Sequence, residues 1–343
     1  MNKKVKEIEK INKPLLRCIN KSLSRSMSEA VTDKDLEFVK HLDGYSSDLE
    51  SLEGVQYLIN VRSVNMCDNR IKDISSLKNL TKITELKLDD NSIEDVSVLS
   101  NLKNLRILSL ADNKIKDISV LSNLKYIQSL HLDGNNIEDI SSLSNCKEVT
   151  ELDISSNKLK DISCIKTMQD LNELALNDNN ISDISPLSNL SQLRTLYLDS
   201  NEIINISPIE NLINLQYLSL DDNKIKDIHA IKKLSKLTKI DISYNQIVDI
   251  SPILENPNFE NINSVIAQSI DLREFGESFL HYDCLDEKTN LSLDDVFITK
   301  DGCFNLELNR MVKFSTSQAR IPLPQRASAR RWGRNCYFFM NFY

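Results

Sequence analysis

Residues 86–97 read LKLDDNSIEDVS. Leu86 and Leu88 alternate with polar neighbours, as on a short strand with one buried face. Asn91 then sits inside the apolar pattern, where an unpaired amide would cost about 1–3 kcal/mol. The stretch decides the fold because it returns. Asn69, Asn91, Asn113, Asn135, Asn157, Asn179, Asn201, Asn223 and Asn245 stand 22 residues apart without an insertion. Leu, Ile or Val precedes each by five residues, and Leu, Ile or Met by three. Two residues after it comes Ile, or Leu159 once, and five after it Ile, or Val96 once. One such coil cannot close a core, so each rung must stack on its neighbours.

Stacking predicts an α/β leucine-rich repeat solenoid. It would be a curved arc with a parallel sheet on the concave side and short 3-10 turns on the convex side. A small β segment follows. Within it the asparagine reads as structural. Its amide offers two donors and an acceptor to the backbone of the turn and of the next rung. Four residues after each asparagine comes Asp73, Asp95, Asp117, Asp139, Asp161, Asp183, Asp227 or Asp249, with Asn205 in the remaining rung. Calcium-binding solenoids place glycines beside such aspartates, and none stand here. The column is therefore expected to cap a short helical turn.

The chain has 343 residues, six glycines and a formal net charge of −8. That charge is uneven: residues 1–30 carry +5, residues 310–343 carry +7, and the middle holds −20. An acidic body of this size repels nucleic acid and suits a partner protein with a basic patch. Seven cysteines lie scattered without CxxC pairs, so neither a disulfide framework nor a zinc ribbon is expected. No apolar run is long enough for a membrane span. The basic start is not followed by the apolar stretch of a signal peptide. As written, the chain is expected in the cytoplasm, with secretion or a cell-surface location the alternative should the N-terminus be incomplete.

The unit L-x-x-L-x-L-x-x-N-x-I-x-D-I-S-x-L-x-x-L resembles the 22-residue repeat of bacterial internalins. LRTLYLDSNEIINISPIENL (193–212) and LNELALNDNNISDISPLSNL (171–190) carry it down to the D-I-S-P-L turn, and the likeness covers about residues 38–256. Phosphatase-regulatory repeat proteins of eukaryotes share the period, but their turns seldom read D-I-S-P. The resemblance implies a curved right-handed arc, capped at both ends, that grips other proteins on its concave sheet. It also implies an immunoglobulin-like segment after the repeats. No LPxTG-like sorting motif or wall-binding module accompanies it here.

Five regions are expected. Residues 1–30 are a basic segment whose apolar positions from Val5 to Leu23 have helical spacing, although Pro14 weakens a continuous helix. A docked or frayed capping helix is favoured there over one lying on an anionic surface. Residues 31–60 form a cap and a degenerate first rung, with Leu42, Leu49, Leu52, Val55 and Leu58 in register and Ser47 in place of the asparagine. Residues 61–259 hold nine repeats. Residues 260–309 form a β-rich cap or truncated immunoglobulin-like segment. Residues 310–343, with six of the thirteen arginines and the single tryptophan, read as a disordered tail from a shifted frame or foreign junction.

Side chains six, four and two residues before each asparagine are expected to face outward from the sheet. There Tyr197 and Tyr217 fall on adjacent rungs, beside Asp199, Asp221, Asp222 and Asp241, with Tyr244 at a strand exit and His131 and Asp133 further up. Tyrosine buries much area with few rotors and suits an interface. These nine residues are the expected partner-binding set.

No catalytic set, metal set or cofactor is expected. Cys67 and His131 lie three rungs apart, roughly 14–15 Å by strand spacing, too far for a nucleophile and its base. His281 and Cys284 form an isolated H-x-x-C. Cys284-Leu285-Asp286 is similar to the Cys-x-Asp of bacterial ubiquitin ligases that carry leucine-rich repeats, but their large helical domain has no counterpart here. His229 in a turn and Cys146 in a core column are expected to pack. The function read from these features is a non-catalytic, monomeric, internalin-like protein-binding module. The alternative is an intracellular regulatory subunit that holds an enzyme such as a protein phosphatase.

Overall fold

The computed structural model describes residues 11–247, 249, 251–254 and 256, together with the backbone of 270–271, 296–298 and 303–306. Ten three-residue strands form one open parallel sheet in strict chain order: β1 (His41–Asp43), β2 (Ser63–Asn65), β3 (Glu85–Lys87), β4 (Ile107–Ser109), β5 (Ser129–His131), β6 (Glu151–Asp153), β7 (Glu173–Ala175), β8 (Thr195–Tyr197), β9 (Tyr217–Ser219) and β10 (Lys239–Asp241). Every strand pairs with the residue 22 positions on, so Leu86 lies beside Val64 and Leu108. Across the core, 3-10 turns run from Val55–Tyr57 to His229–Lys233, one per rung. This is the leucine-rich repeat solenoid that the period predicts.

The apolar residue at each strand centre, the one two positions after it and those of the returning turn form columns with essentially no exposure. The columns merge into one continuous core from Ile11 to Ile253. Hydrogen bonding between rungs continues past the strands: Leu88 N–H donates to Ser109 O (2.9 Å) and Asp90 N–H to Ala111 O (3.0 Å).

The asparagines lock each turn to its neighbour. Asn135 Nδ2 donates to Leu132 O (3.0 Å) and Asp133 O (3.1 Å) in its own rung, and to Leu110 O (2.9 Å) in the preceding one. Its Oδ1 accepts from Ile115 N–H (2.9 Å). The same pattern recurs in the described rungs, for example at Asn201 and Asn223. The partner rung is thus the preceding one, not the next. Just before the asparagine the backbone turns left-handed, with φ of 54° at Asp90, 51° at Ser156, 65° at Gly134 and 50° at Tyr244. Asp, Ser and Gly suit that region; a tyrosine there is unusual.

The aspartate column does cap the 3-10 turns, from one residue outside the usual position. Asp95 Oδ1 accepts from Ser97 N–H, the first residue of the turn Ser97–Asn101, at 2.8 Å, and Asp73, Asp117 and Asp139 do likewise. These bonds to the ionised form hold Asp95, Asp117 and Asp139 below the usual carboxylate range.

Helix α1 (Lys13–Ser22) closes the N-terminal end. Asn12 caps it by accepting from Leu15 N–H (2.8 Å), and Leu15, Cys18 and Ile19 are buried in the core. Pro14 does not interrupt the helix, because it sits in the first turn, where backbone N–H groups have no helical acceptor. A capping box between Thr32 and Asp35 starts α2 (Asp33–Leu36), and Arg25 pairs with Asp35 at 2.5 Å. At the far end α3 (Ser251–Leu254) takes the place of a 3-10 turn. Buried Asn256 there donates to Ile231 O and Leu234 O, both at 3.1 Å. Strands β11 (Ile270–Asp271), β12 (Val296–Ile298) and β13 (Cys303–Leu306) form a separate antiparallel sheet in the order β11-β13-β12. Among the described residues no helix is long and apolar enough to cross a membrane.

Candidate partner-binding face

The outward positions of the sheet form three columns on an open surface, and small residues make it uneven. Ser109, Ser155, Ala175, Ser219 and Ser243 face outward by register yet are buried. Longer neighbours cover them. Asp89 accepts from Ser109 Oγ (2.5 Å) and Ala111 N–H (2.9 Å). Asp199 accepts from Ser219 Oγ and from Asp221 N–H (3.0 Å). An Asp two residues before one asparagine and a Ser four before the next thus form a bridge across strands. That pairing, 20 residues apart in sequence, is a signal that column-by-column reading misses.

Tyr197 and Tyr217 do meet. Their ring centroids lie 4.9 Å apart with planes tilted by 46°, an arrangement that adds to plain area burial. The two rings come from β8 and β9, diagonal across the pair Thr195–Tyr217. Asp199, Asp221 and Asp241 stand close by on consecutive rungs. Burial pushes the Tyr217 phenol up, and the same desolvation raises Asp199. Asp221 is pushed up to about 7 by burial and by the charges of Asp241, Asp199 and Asp222. Its Oδ1 is fully buried without a hydrogen-bond partner. Asp222 and Tyr244 occupy the left-handed turn at the edge of the sheet, and Tyr244 is 41% exposed.

His131 and Asp133 do not join that patch, since β5 lies three strands from β8. They form a second cluster with Asp153, Glu151 and Glu173. Ser129 Oγ donates to Glu151 Oε2 (3.0 Å), and His131 Nε2 lies 3.0 Å from Ser129 Oγ and 3.4 Å from Glu151 Oε1. A neutral ring satisfying both contacts carries its proton on Nε2. Burial and the Asp153 charge push Asp133 up to about 7. Burial, then Glu151 and Asp153, raises Glu173. His131, Asp133 and Asp153 are the one grouping among the described residues able to hold a metal ion, each offering a ligand atom within 4.8 Å of the others.

Cys67 on the same face is a poor nucleophile. Its Sγ donates to Asp89 Oδ2 (3.1 Å), and burial plus that charge push the thiol up to about 12. Cys146 is fully buried in the core as expected, but His229 does not pack: it is exposed at the start of a 3-10 turn, with Nδ1 2.6 Å from Asp227 Oδ1. His281, Cys284, the Cys284-Leu285-Asp286 triplet and the tail 310–343 lie outside the described residues, as does most of 260–309.

The family profile of paired leucine-rich repeats matches residues 59–101, 82–126, 103–145 and 213–261, and a second leucine-rich repeat profile matches 147–203. An internalin from Listeria monocytogenes, InlF, is 36% identical over 74% of this chain and 82% of its own length, with a TM-score of 0.65. The chain belongs to the internalin family of leucine-rich repeat proteins. Internalin C2 of the same organism is 33% identical over 66% of this chain and 91% of its own, with a TM-score of 0.52. The functional domain of InlJ, also from Listeria monocytogenes, shares the fold at 22% identity and a TM-score of 0.64, over 70% of this chain and 52% of that one. No curated protein sequence matches the chain. Like its family, the chain carries the scaffold of a protein–protein interaction module.

Proposed function

We propose that this internalin-type solenoid is a non-catalytic module that binds the basic patch of one partner protein on the concave face of its sheet, acting as a monomer. The Tyr197–Tyr217 pair carries the reading. Two large rings stacked on a rigid open sheet, among carboxylates raised by burial and by one another, form a surface that gains from a cationic, partly apolar partner. Asp199, Asp221, Asp222, Asp241 and Tyr244 complete this patch, and His131 with Asp133 extends the contact toward the middle rungs. A partner spanning both clusters covers the face from β5 to β10, about 24 Å by strand spacing. That length suits an interface of ordinary size.

The test places a photo-crosslinking residue at Lys239, exposed and in register beside Tyr217, and a second at Ser188 on the convex side. The Lys239 position is expected to capture a basic protein that the Ser188 position does not. Tyr197→Ala with Tyr217→Ala should weaken that partner's binding at least thirtyfold, as loss of two anchors of over 1 kcal/mol each requires. Capture from the convex side only, or unchanged affinity of the double variant, refutes the assignment.

A further inference from the structure

The acidic reading of the body conceals a segregation of charge. In each rung the loop from the 3-10 turn into the strand runs along one flank of the solenoid. Over the loops that lead into β2–β6, this flank carries Arg62, Lys82, Lys103, Arg106, Lys125 and Lys147, all exposed, and Glu148 is the one acid among them. Successive loops are tied rung to rung: Thr84 N–H donates to Arg62 O, Arg106 N–H to Thr84 O and Gln128 N–H to Arg106 O, each at 2.8 Å. Lys103, Lys125 and Lys147 occupy the same position in three consecutive rungs, so they repeat at about the strand spacing of 4.8 Å. Holding like charges this close costs free energy at low ionic strength, which an anion lying along the row would recover.

We propose that this flank binds a linear sulfated polysaccharide laid along the solenoid axis. The row is narrow and regularly charged, and a linear polyanion can follow it from rung to rung. A folded acidic protein fits less well, because Ile59 and Tyr126 are the only large apolar side chains exposed among the described residues of the loops that carry the six cations. A nucleic acid fits less well too. Tyr126 is the one ring within the row, and the Arg106 guanidinium at 5.9 Å already lies over one of its faces, so the row offers no run of rings on which successive bases could stack. The inference is independent of the proposed concave-face partner, which would sit on a different surface.

Heparin-affinity retention of the full chain tests it, with a heparin dodecasaccharide in titration calorimetry. Wild type, despite its net charge of −8, should be retained at about 50 mM salt and released well below 1 M as the charges are screened. Lys103→Glu/Lys125→Glu/Lys147→Glu should abolish retention and weaken the dodecasaccharide at least tenfold. Lys114→Glu/Lys116→Glu/Lys158→Glu makes the same change in net charge on the strand-exit side and should leave both unchanged. All six lysines are exposed, so circular dichroism should show the fold intact in each variant. A twelve-residue oligothymidine should bind more weakly than the dodecasaccharide. Wild type that flows through, a flank variant still retained, equal losses in the two variants, or tighter oligothymidine binding each overturns the proposal.

Discussion

Replacing Asn135 by alanine removes one rung's lock, and the cost follows from its bonds. Three carbonyls lose a donor, but each keeps another: Leu110 O from Asn113 (3.2 Å), Leu132 O from Asn157 (3.0 Å) and Asp133 O from Asp112 N–H (2.8 Å). Ile115 N–H, at a fully buried residue, loses the Oδ1 acceptor that holds it at 2.9 Å. The orphaned donor costs about 1–3 kcal/mol, and the weakened carbonyl bonds with the small void bring the total to about 2–4 kcal/mol. Urea denaturation of wild type and variant measures it as a lowered midpoint. An unchanged slope would show that the same cooperative unit unfolds. Asn135→Asp separates chemistry from volume. Its ionised carboxylate would face three carbonyls, so at neutral pH it should be worse than alanine. It should improve as pH falls and the acid regains a proton to donate. Its pKa is raised in the folded state, so stability is lost as pH rises through that value. A loss below 0.5 kcal/mol for Asn135→Ala would mean that the amide carries no weight.

Stability should also fall as pH rises from about 4 to about 7. Asp133 and Asp221 are pushed up to about 7, so the folded chain holds protons that the unfolded chain has released. Asp133→Asn should flatten that slope by on the order of 1 kcal/mol across the window, measured by thermal unfolding at several pH values. Gly134→Ala should cost about 1–2 kcal/mol in the same assay, because φ there is 65° and the new Cβ would lie 2.5 Å from Asp112 Oδ1. Tyr244→Asn relieves a bulky residue at φ 50° and should be neutral or slightly stabilising, while weakening the concave-face partner by calorimetry.

The repeat was legible because every rung restates it. Column averages over nine copies reveal the Asn, the apolar positions and the capping Asp as no single copy could. Tyr197 and Tyr217 were legible too: in-register pairing makes residues 22 apart neighbours, which leaves these two, 20 apart, diagonal on adjacent strands. Other features depend on which side chains bond across such diagonals, or on local geometry. The covering of Ser109 and Ser219 by Asp89 and Asp199 joins residues 20 apart, in two different columns. The charge coupling of Asp133 to Asp153 likewise crosses strands between unlike positions. Pro14 read as a helix breaker because its place in the first turn is set by the Asn12 cap, which periodicity does not reveal. The basic flank was hidden by summing charge along the chain, whereas the fold sorts it by position within the rung.

Amide hydrogen exchange reaches the central claim most directly, because the lock has a named proton in every rung. The backbone N–H groups of Ile93, Ile115, Ile137, Ile181 and Ile203 lie outside the strands and point at side-chain oxygens of the following rung. They should exchange as slowly as strand amides such as Leu108 and Leu130, through opening of the solenoid as a whole. Exchange as fast as that of the exposed turn residues beside them would mean that the asparagine ladder does not hold the sheet together.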